Sequence, residues 1–286
     1  MGTVLVTGGS SGIGLATVRR LAASGDRVFY GSRTAAPEEA FGGLDVTYVP
    51  LDLADPASGQ AAVATVTERT GRLDALVNCA AAGGLAALEE APDDEAHRIF
   101  EVNVFGTMRL IRAALPALRA PRPDGGGGGR IVNVTSLNDI APAPFGGWYS
   151  ASKSALMSLS VVLGAELTGT GVTVTVVAPG LFRTPMSESL PSQRAAPGSR
   201  FAGAFERLSA FSRQRLDGAG DPDDAARVIE DVLRSDSPPA RVVAGADARA
   251  MEETVRAATP EDLARMLSES VATLTGGTPP TGTTPA

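Results

Sequence analysis

The sequence predicts an α/β protein: one doubly wound parallel sheet of about seven strands flanked by helices. Three observations predict it. Short β-branched runs alternate with longer stretches of helical period, the pattern of stacked βαβ units. The first strand runs directly into a glycine-rich turn and a helix. The chain of 286 residues, 43% of them apolar, can bury one full-sized core.

In chain order, the β-branched run Thr3–Thr7 is the first strand, and the amphipathic stretch Gly12–Ser24 is the first helix. Arg27–Ser32 and Asp45–Pro50 read as the next two strands, Ala57–Thr70 as a helix and Ala75–Asn78 as a fourth strand. A long helix is predicted over Asp93–Arg119, a strand over Arg130–Thr135 and a helix over Trp148–Leu167. A sixth strand, Val172–Val177, precedes helices over Phe201–Leu216 and Pro222–Arg234. A seventh strand, Arg241–Ala244, and a pair of helices within Ala248–Leu274 complete the domain, residues 1–275. The five-glycine run within Pro121–Gly129 is expected to be a mobile connector, and the Gly, Thr and Pro tail over residues 276–286 to be disordered.

Composition narrows the function classes. With 25 basic and 32 acidic residues the formal charge is −7 and no basic run occurs, so the electrostatic footprint of a nucleic-acid binder is missing and a small-molecule partner is expected. Cys79 is the only cysteine, which rules out an internal disulfide and a cysteine metal cluster and suits a reducing cytoplasm; no metal site is expected. His97, the only histidine, sits in the acidic stretch Asp93-Asp94-Glu95-Ala96-His97, which reads as a solvated first helical turn rather than part of a catalytic triad. The N-terminus enters the first strand without a charged leader, and the longest apolar helical stretch, Ser154–Leu167, falls short of the ~20 residues that cross a bilayer, so no membrane association is expected.

The turn after the first strand is Thr7-Gly8-Gly9-Ser10-Ser11-Gly12-Ile13-Gly14. Glycines let a backbone turn tightly and approach a diphosphate closely, while the free amides and dipole at the following helix start stabilise negative charge. Further along, Tyr149-Ser150-Ala151-Ser152-Lys153 places a phenol and an ammonium on one face of a helix. An ammonium that close is expected to favour the phenolate, so that Lys153 tunes Tyr149 for acid–base work. Ser136 lies thirteen residues before Tyr149 at the carboxyl end of a predicted strand, the edge at which open α/β sheets bind ligands.

Together these residues resemble the short-chain dehydrogenase/reductase family, with its T-G-x-x-x-G-x-G turn and its S-x12-Y-x3-K signature, over Val4 to about Ala244. The resemblance implies a Rossmann-like fold and a reversible hydride transfer between a nicotinamide and a ketone or aldehyde/alcohol pair. It makes Tyr149 the general acid/base, Ser136 the residue that orients the substrate oxygen, and Lys153 both a partner of Tyr149 and a ligand of the nicotinamide ribose. Asn103, in Phe100-Glu101-Val102-Asn103-Val104-Phe105-Gly106, matches the family's fourth active-site residue, implying a helix kink and a water-extended proton relay. It also implies cofactor contacts for Gly8, Ser10, Ser11, Gly12, Ile13 and Gly14, for Asp52, Leu53 and Asn78, and for Pro179, Gly180, Phe182 and Thr184 of the P-G motif. Asp52 is read either as the adenine ligand or as a loop cap.

At the end of the second strand, Ser32 and Arg33 stand where an acid would accept hydrogen bonds from a free ribose 2′-hydroxyl. A guanidinium beside a hydroxyl suits a 2′-phosphate, so NADP(H) is expected over NAD(H). The chain departs from the family at Asn78-Cys79-Ala80-Ala81, where Asn-Asn-Ala-Gly is usual; Ala81 carries a Cβ that can displace this loop, and Cys79 reads as a small buried filler. Residues 185–220 occupy the position of the family's substrate lid, and Phe201, Phe205, Leu208 and Phe211 form an apolar stripe that either packs on the body or covers a hydrophobic ligand. A homodimer or homotetramer through the two long helices follows from the resemblance alone. Two other readings stay open: an isomerase or cyclase with a silent cofactor, and an NADP(H)-binding regulator without turnover.

Overall fold

The computed structural model describes residues 2–120 and 128–276. Residues 121–127 of the connector predicted over Pro121–Gly129 and nearly all of the predicted tail fall outside them.

Seven strands form one all-parallel sheet in the order β3-β2-β1-β4-β5-β6-β7: β1 Thr3–Thr7, β2 Arg27–Ser32, β3 Val46–Pro50, β4 Ala75–Asn78, β5 Arg130–Val134, β6 Thr173–Pro179 and β7 Arg241–Ala244. The order reverses between β1 and β4, and that switch point opens a crevice at the carboxyl ends of the strands. A strand alternates its side chains between two faces, so a parallel sheet needs apolar residues at nearly every position and a helix layer on each face. Leu5, Phe29, Leu76 and Ile131 point to one layer, α2 Ser58–Thr70, α4 Thr107–Arg119 and α5 Gly147–Glu166, which contribute Val66, Leu110, Ile111 and Leu163. Val4, Val6, Val28, Val77 and Val132 point to the other, α1 Gly12–Ala23 and α8 Pro222–Arg234, which contribute Val18, Leu21, Ala225 and Ile229. Leu76 is fully buried between strands and helices, and truncating it to alanine costs about 2–5 kcal/mol.

The sequence-based strand limits agree to within two residues, and the sixth strand runs on to Pro179. The long helix expected over Asp93–Arg119 is interrupted. It comprises α3 Asp93–Phe100, a π turn Glu101–Gly106 and α4. Gly106 in the π turn lets the backbone of Leu53 approach: a Cβ there would stand 2.1 Å from the Leu53 carbonyl oxygen. A single wide turn of this kind is frequent at functional sites, and here it carries Asn103.

The lid region holds a short helix, α6 Pro185–Ser189, and α7 Ala202–Asp217, followed at the C-terminal end by α9 Ala246–Ala257 and α10 Pro260–Thr275. The short α6 was not legible as a helix, because Thr184 and Ser187 stabilise it by a reciprocal cap rather than by an apolar period. The helix α10 packs on α7, where Arg207 Nε donates to the Leu274 carbonyl at 2.5 Å. No helix of the described residues is long and apolar enough to cross a membrane.

Candidate active site

The crevice is built first by glycines. Gly8 and Gly12 adopt left-handed φ of 68° and 53°, which a side chain resists. The Gly8 N–H donates to the Gly31 carbonyl at 2.8 Å, and a Cβ on Gly8 would lie 2.9 Å from Ala80 Cα. A Cβ on Gly14 would lie 2.3 Å from the Gly8 carbonyl oxygen, so the turn folds directly onto the start of α1. Ser11 caps α1 without a side-chain hydrogen bond, and neither the Ser10 nor the Ser11 hydroxyl bonds to any described residue. Ile13 packs against the core beneath. The result is a cradle that a Cβ would fill, with unclaimed amides and two hydroxyls at a helix start, which fits a diphosphate.

Around this cradle the other expected cofactor residues divide. Thr184 meets it directly, since a Cβ on Gly12 would lie 3.0 Å from Thr184 Cγ2; the Thr184 hydroxyl accepts from the Ser187 N–H at 3.2 Å as the cap of α6. Pro179 ends β6, and Gly180 is hemmed in by Asp247, whose Oδ2 accepts from the Leu181 N–H at 2.8 Å. The Phe182 ring lies in the core, 4% exposed, because Gly220 leaves room for it. The Phe182 carbonyl accepts from Ser187 Oγ at 2.7 Å. Ser32 Oγ donates to the Thr34 carbonyl at 2.6 Å, and Arg33 is exposed with no hydrogen bond or ion pair to the described residues. Asp52 behaves as a loop cap, its Oδ1 accepting from the Ala54 N–H at 2.9 Å, while Leu53 is a core residue whose carbonyl takes Arg109 at 2.8 Å. Asn78 turns inward. Its Nδ2 donates to Asn133 Oδ1 at 2.8 Å and Asn133 Nδ2 to Ser160 Oγ at 2.8 Å, a buried chain tying β4 and β5 to α5.

Thr7 Oγ1 accepts from the Ala80 N–H at 3.0 Å, and Ala81 needs no left-handed backbone. Cys79 faces Lys153, and burial pushes its thiol up to about 12, an unreactive state. His97 is exposed, as expected of a solvated helix turn.

Ser136, Tyr149 and Lys153 come together at the ends of β5 and α5. Ser136 is extended and caps a 3₁₀ turn, Leu137–Asp139, its Oγ accepting from the Asn138 N–H at 3.2 Å. The Ser136 hydroxyl also hydrogen-bonds Tyr149. Tyr149 stands in the first turn of α5, and Lys153 one turn on reaches back to the Val134 carbonyl, Nζ donating at 3.0 Å. Its ammonium lies 5.7 Å from the Tyr149 ring centre.

The electrostatics differ from the sequence expectation. Tyr149 is pushed up to about 12 because burial penalises the phenolate, with the hydrogen bond to Ser136 opposing and the Asp139 charge adding. Lys153 is not among the groups that move it. The lysine's own ammonium is brought down to about 8 by burial, against the pull of Cys79 and Asp139. Tyr149 is therefore a neutral acid near pH 7, the form that donates a proton.

Asn103 is fully buried with its whole amide engaged: Oδ1 accepts from the Ala82 N–H at 2.7 Å, and Nδ2 donates to the Ala82 carbonyl and to Ser152 Oγ, each at 2.9 Å. Ser152 in turn donates to the Tyr149 carbonyl at 2.7 Å. Asn103 thus positions the loop after β4 and the start of α5; its side chain faces neither Ser136 nor the Tyr149 hydroxyl with a free group.

Residues from Thr184 to Met186 border one side, with α7 beyond. The Phe145 ring packs on Phe201 and Phe205 at centre distances of 5.6 and 5.0 Å, and Phe145 alone among the described non-glycine residues has a positive φ, 62°. Arg200 pairs with Glu89 at 2.8 Å across the mouth. A Cβ on Gly83 would lie 3.5 Å from the Tyr149 ring and 3.9 Å from Met186 Cε of α6, so Gly83 borders both side chains. The predicted apolar stripe is split: Phe201 and Phe205 pack inward, whereas Phe211 is 51% exposed beneath Arg215.

The short chain dehydrogenase family profile matches residues 2–195. The chain belongs to the short-chain dehydrogenase family. Similar to this short-chain dehydrogenase is the 1-deoxy-11-beta-hydroxypentalenate dehydrogenase of Streptomyces avermitilis, 36% identical over 216 residues that cover 73% of this chain and 78% of the relative. Among solved structures, a short-chain dehydrogenase from Streptomyces avermitilis superposes with a TM-score of 0.73 at 32% identity, covering 90% of this chain and 93% of that one. A short chain dehydrogenase from Burkholderia cenocepacia J2315 in complex with NADP gives 0.68 at 25% identity, with the same coverage of 90% and 93%. This short-chain dehydrogenase is an oxidoreductase of CH–OH and C=O groups, the class that its family and relatives share.

Sequence reasoning overlooked one sign of the site. Lys153 is the only lysine in the chain; the other basic residues are all arginine. An arginine does not release its proton, whereas a buried lysine does. The one lysine of this dehydrogenase is thus a buried, titratable cation beside Tyr149.

Proposed function

We propose that this short-chain dehydrogenase reduces the carbonyl of an apolar ketone or aldehyde to an alcohol, with NADPH preferred to NADH and Tyr149 as the general acid. The observation that carries the reading is the meeting of Ser136, Tyr149 and Lys153 at the crevice beside the glycine cradle. A bound nicotinamide cofactor supplies the hydride. The chain's own residues do the rest.

The Ser136 hydroxyl holds the substrate oxygen, and the Tyr149 phenol donates the proton to that oxygen as the alcohol forms. Lys153, anchored on Val134, keeps a cation 5.7 Å from the centre of the phenol ring. The glycine turn and the free hydroxyls of Ser10 and Ser11 fit the diphosphate, and the unpaired Arg33 beside Ser32 favours a 2′-phosphate. The NADP complex of the Burkholderia relative supports that preference. Phe145 and Phe201, stacked over the buried Phe205, and Met186 offer apolar surface beside the site, which favours a hydrophobic substrate. Paired copies through the long helices are supported by the exposed Phe105, Val161 and Val162.

The test is a panel of apolar ketones incubated with the protein and NADPH or NADH. Loss of nicotinamide absorbance together with alcohol product, faster with NADPH, supports the reading. Product formation without cofactor oxidation would instead mark an isomerase or cyclase, and cofactor binding with no product would mark a regulator.

A further inference from the structure

The steps above leave one buried ion pair unused. Asp139 ends the 3₁₀ turn that Ser136 caps, and its carboxylate is fully shielded. Its Oδ2 accepts from Thr135 Oγ1 at 2.7 Å, on the residue just before Ser136, and its Oδ1 accepts from Arg241 Nη2 at 3.0 Å. The backbone is tied as well: the Asp139 N–H donates to the Ser136 carbonyl at 2.9 Å, and the Asp139 carbonyl accepts from Ser154 Oγ, beside Lys153, at 2.8 Å. Arg241 comes from β7 and is held from behind by Glu252 of α9. One side chain therefore joins the strand that carries Ser136, the helix that carries Tyr149 and Lys153, and the C-terminal unit β7–α9.

A buried carboxylate is costly to desolvate, and an apolar side chain of similar size would serve packing at least as well. Its place beside the proposed reacting groups gives the charge a use. The titratable and charged groups facing Lys153 are Cys79 from the loop after β4, Tyr149 from its own helix, and Asp139. Facing Asp139 are Lys153 and Arg241, with Glu252 and Arg256 beyond. Among these, Asp139 is the carboxylate that acts on both Lys153 and Tyr149. We propose that Asp139 is a positioning residue of this site: clamped by Thr135 and Arg241, it fixes the Ser136 turn against α5 and supplies the buried negative charge that keeps Lys153 an ammonium.

The proposal rests on the reading of Ser136, Tyr149 and Lys153 as the reacting groups, but its test needs no turnover. Because Lys153 is the only lysine, incorporation of ε-¹³C-lysine into the full chain gives a single side-chain resonance whose pH titration reports that ammonium directly. Asp139→Asn is isosteric and removes only the charge. Its Lys153 midpoint is expected to fall by about half a pH unit or more, at least about threefold in the acid–base ratio, while Asp139→Glu, which keeps the charge, stays close to the parent. Should Asp139→Asn not fold, Asp139→Ser takes its place with the same expectation. An unmoved midpoint in a folded neutral variant overturns the proposal, and so does failure of both neutral variants to fold, which would assign Asp139 to folding alone. A parent protein that shows the shift but never oxidises NADPH sinks the oxidoreductase reading and leaves this one standing; an active enzyme with an unmoved resonance does the reverse.

Discussion

The Lys153 ammonium stands 5.7 Å from the centre of the Tyr149 ring and spends a hydrogen bond on the Val134 carbonyl at 3.0 Å. The pair is thus arranged as a buried cation beside a half-buried phenol, and not as a direct ion pair. Carbonyl reduction needs both protons in place. Tyr149, pushed up to about 12, keeps its proton across the physiological range, whereas Lys153, brought down to about 8, loses its own within reach of ordinary buffers.

The pH dependence follows with a definite sign. For ketone reduction, kcat/KM is expected to be level from about pH 6 to pH 7 and to decline as pH rises through the Lys153 value of about 8. Lys153→Arg, whose cation does not titrate, is expected to act slowly but without that decline. Initial rates of NADPH oxidation between about pH 6 and 9.5 measure both profiles.

Arg33→Ala tests the cofactor preference. A charge-assisted contact to a phosphate contributes about 1.5–3 kcal/mol, so the variant is expected to bind NADPH about tenfold to a hundredfold more weakly and NADH unchanged. Calorimetric Kd values for the two cofactors decide it, and an unaltered ratio contradicts the assignment of Arg33.

Gly8→Ala puts a Cβ 2.9 Å from the Ala80 backbone at a φ of 68°. The left-handed conformation alone costs about 1–2 kcal/mol, and the loop after β4 must also move. NADPH affinity is expected to drop about tenfold or more, with a lowered Tm, as read by cofactor fluorescence and thermal unfolding.

How much of this was readable beforehand depends on where the information lies. The strands were legible because a parallel sheet demands unbroken apolar runs, and β1, β2, β4 and β7 have the limits expected of them. The glycine turn and the Ser136, Tyr149 and Lys153 spacing were legible because both are local. The interruption at Asn103 was legible only as the kink that the family resemblance implied, since the amide bonds that accompany it reach Ala82 and Ser152, 21 and 49 residues away in sequence. Asp139 was hidden for the same reason: its partner Arg241 is 102 residues distant. Phe145 gave no local sign of its positive φ, because non-glycine residues there are set by their tertiary contacts. The expectation that Lys153 lowers Tyr149 failed because spacing conveys proximity but not burial, and burial dominates here.

Asn103→Ala removes three hydrogen bonds and leaves the Ala82 N–H and carbonyl buried without partners. At about 1–3 kcal/mol for each unsatisfied group, a loss of several kcal/mol is expected from denaturant unfolding, together with a lower kcat.

Phe145→Ala keeps the strained backbone and deletes the ring contacts with Phe201 and Phe205. The packing of α7 on the turn before α5 is then expected to loosen, raising KM for an apolar ketone several-fold while NADPH Kd stays constant. A change in cofactor affinity of similar size would place Phe145 elsewhere in the chemistry.

The most direct measurement is single-turnover reduction of a ketone by the NADPH-loaded protein, comparing the parent with Tyr149→Phe, which removes one hydroxyl and keeps the ring. The rate is expected to fall by about 10²–10⁴ with NADPH Kd unchanged. Turnover retained to within a few-fold in Tyr149→Phe would contradict the assignment of the phenol as proton donor, and with it the reaction proposed for this crevice.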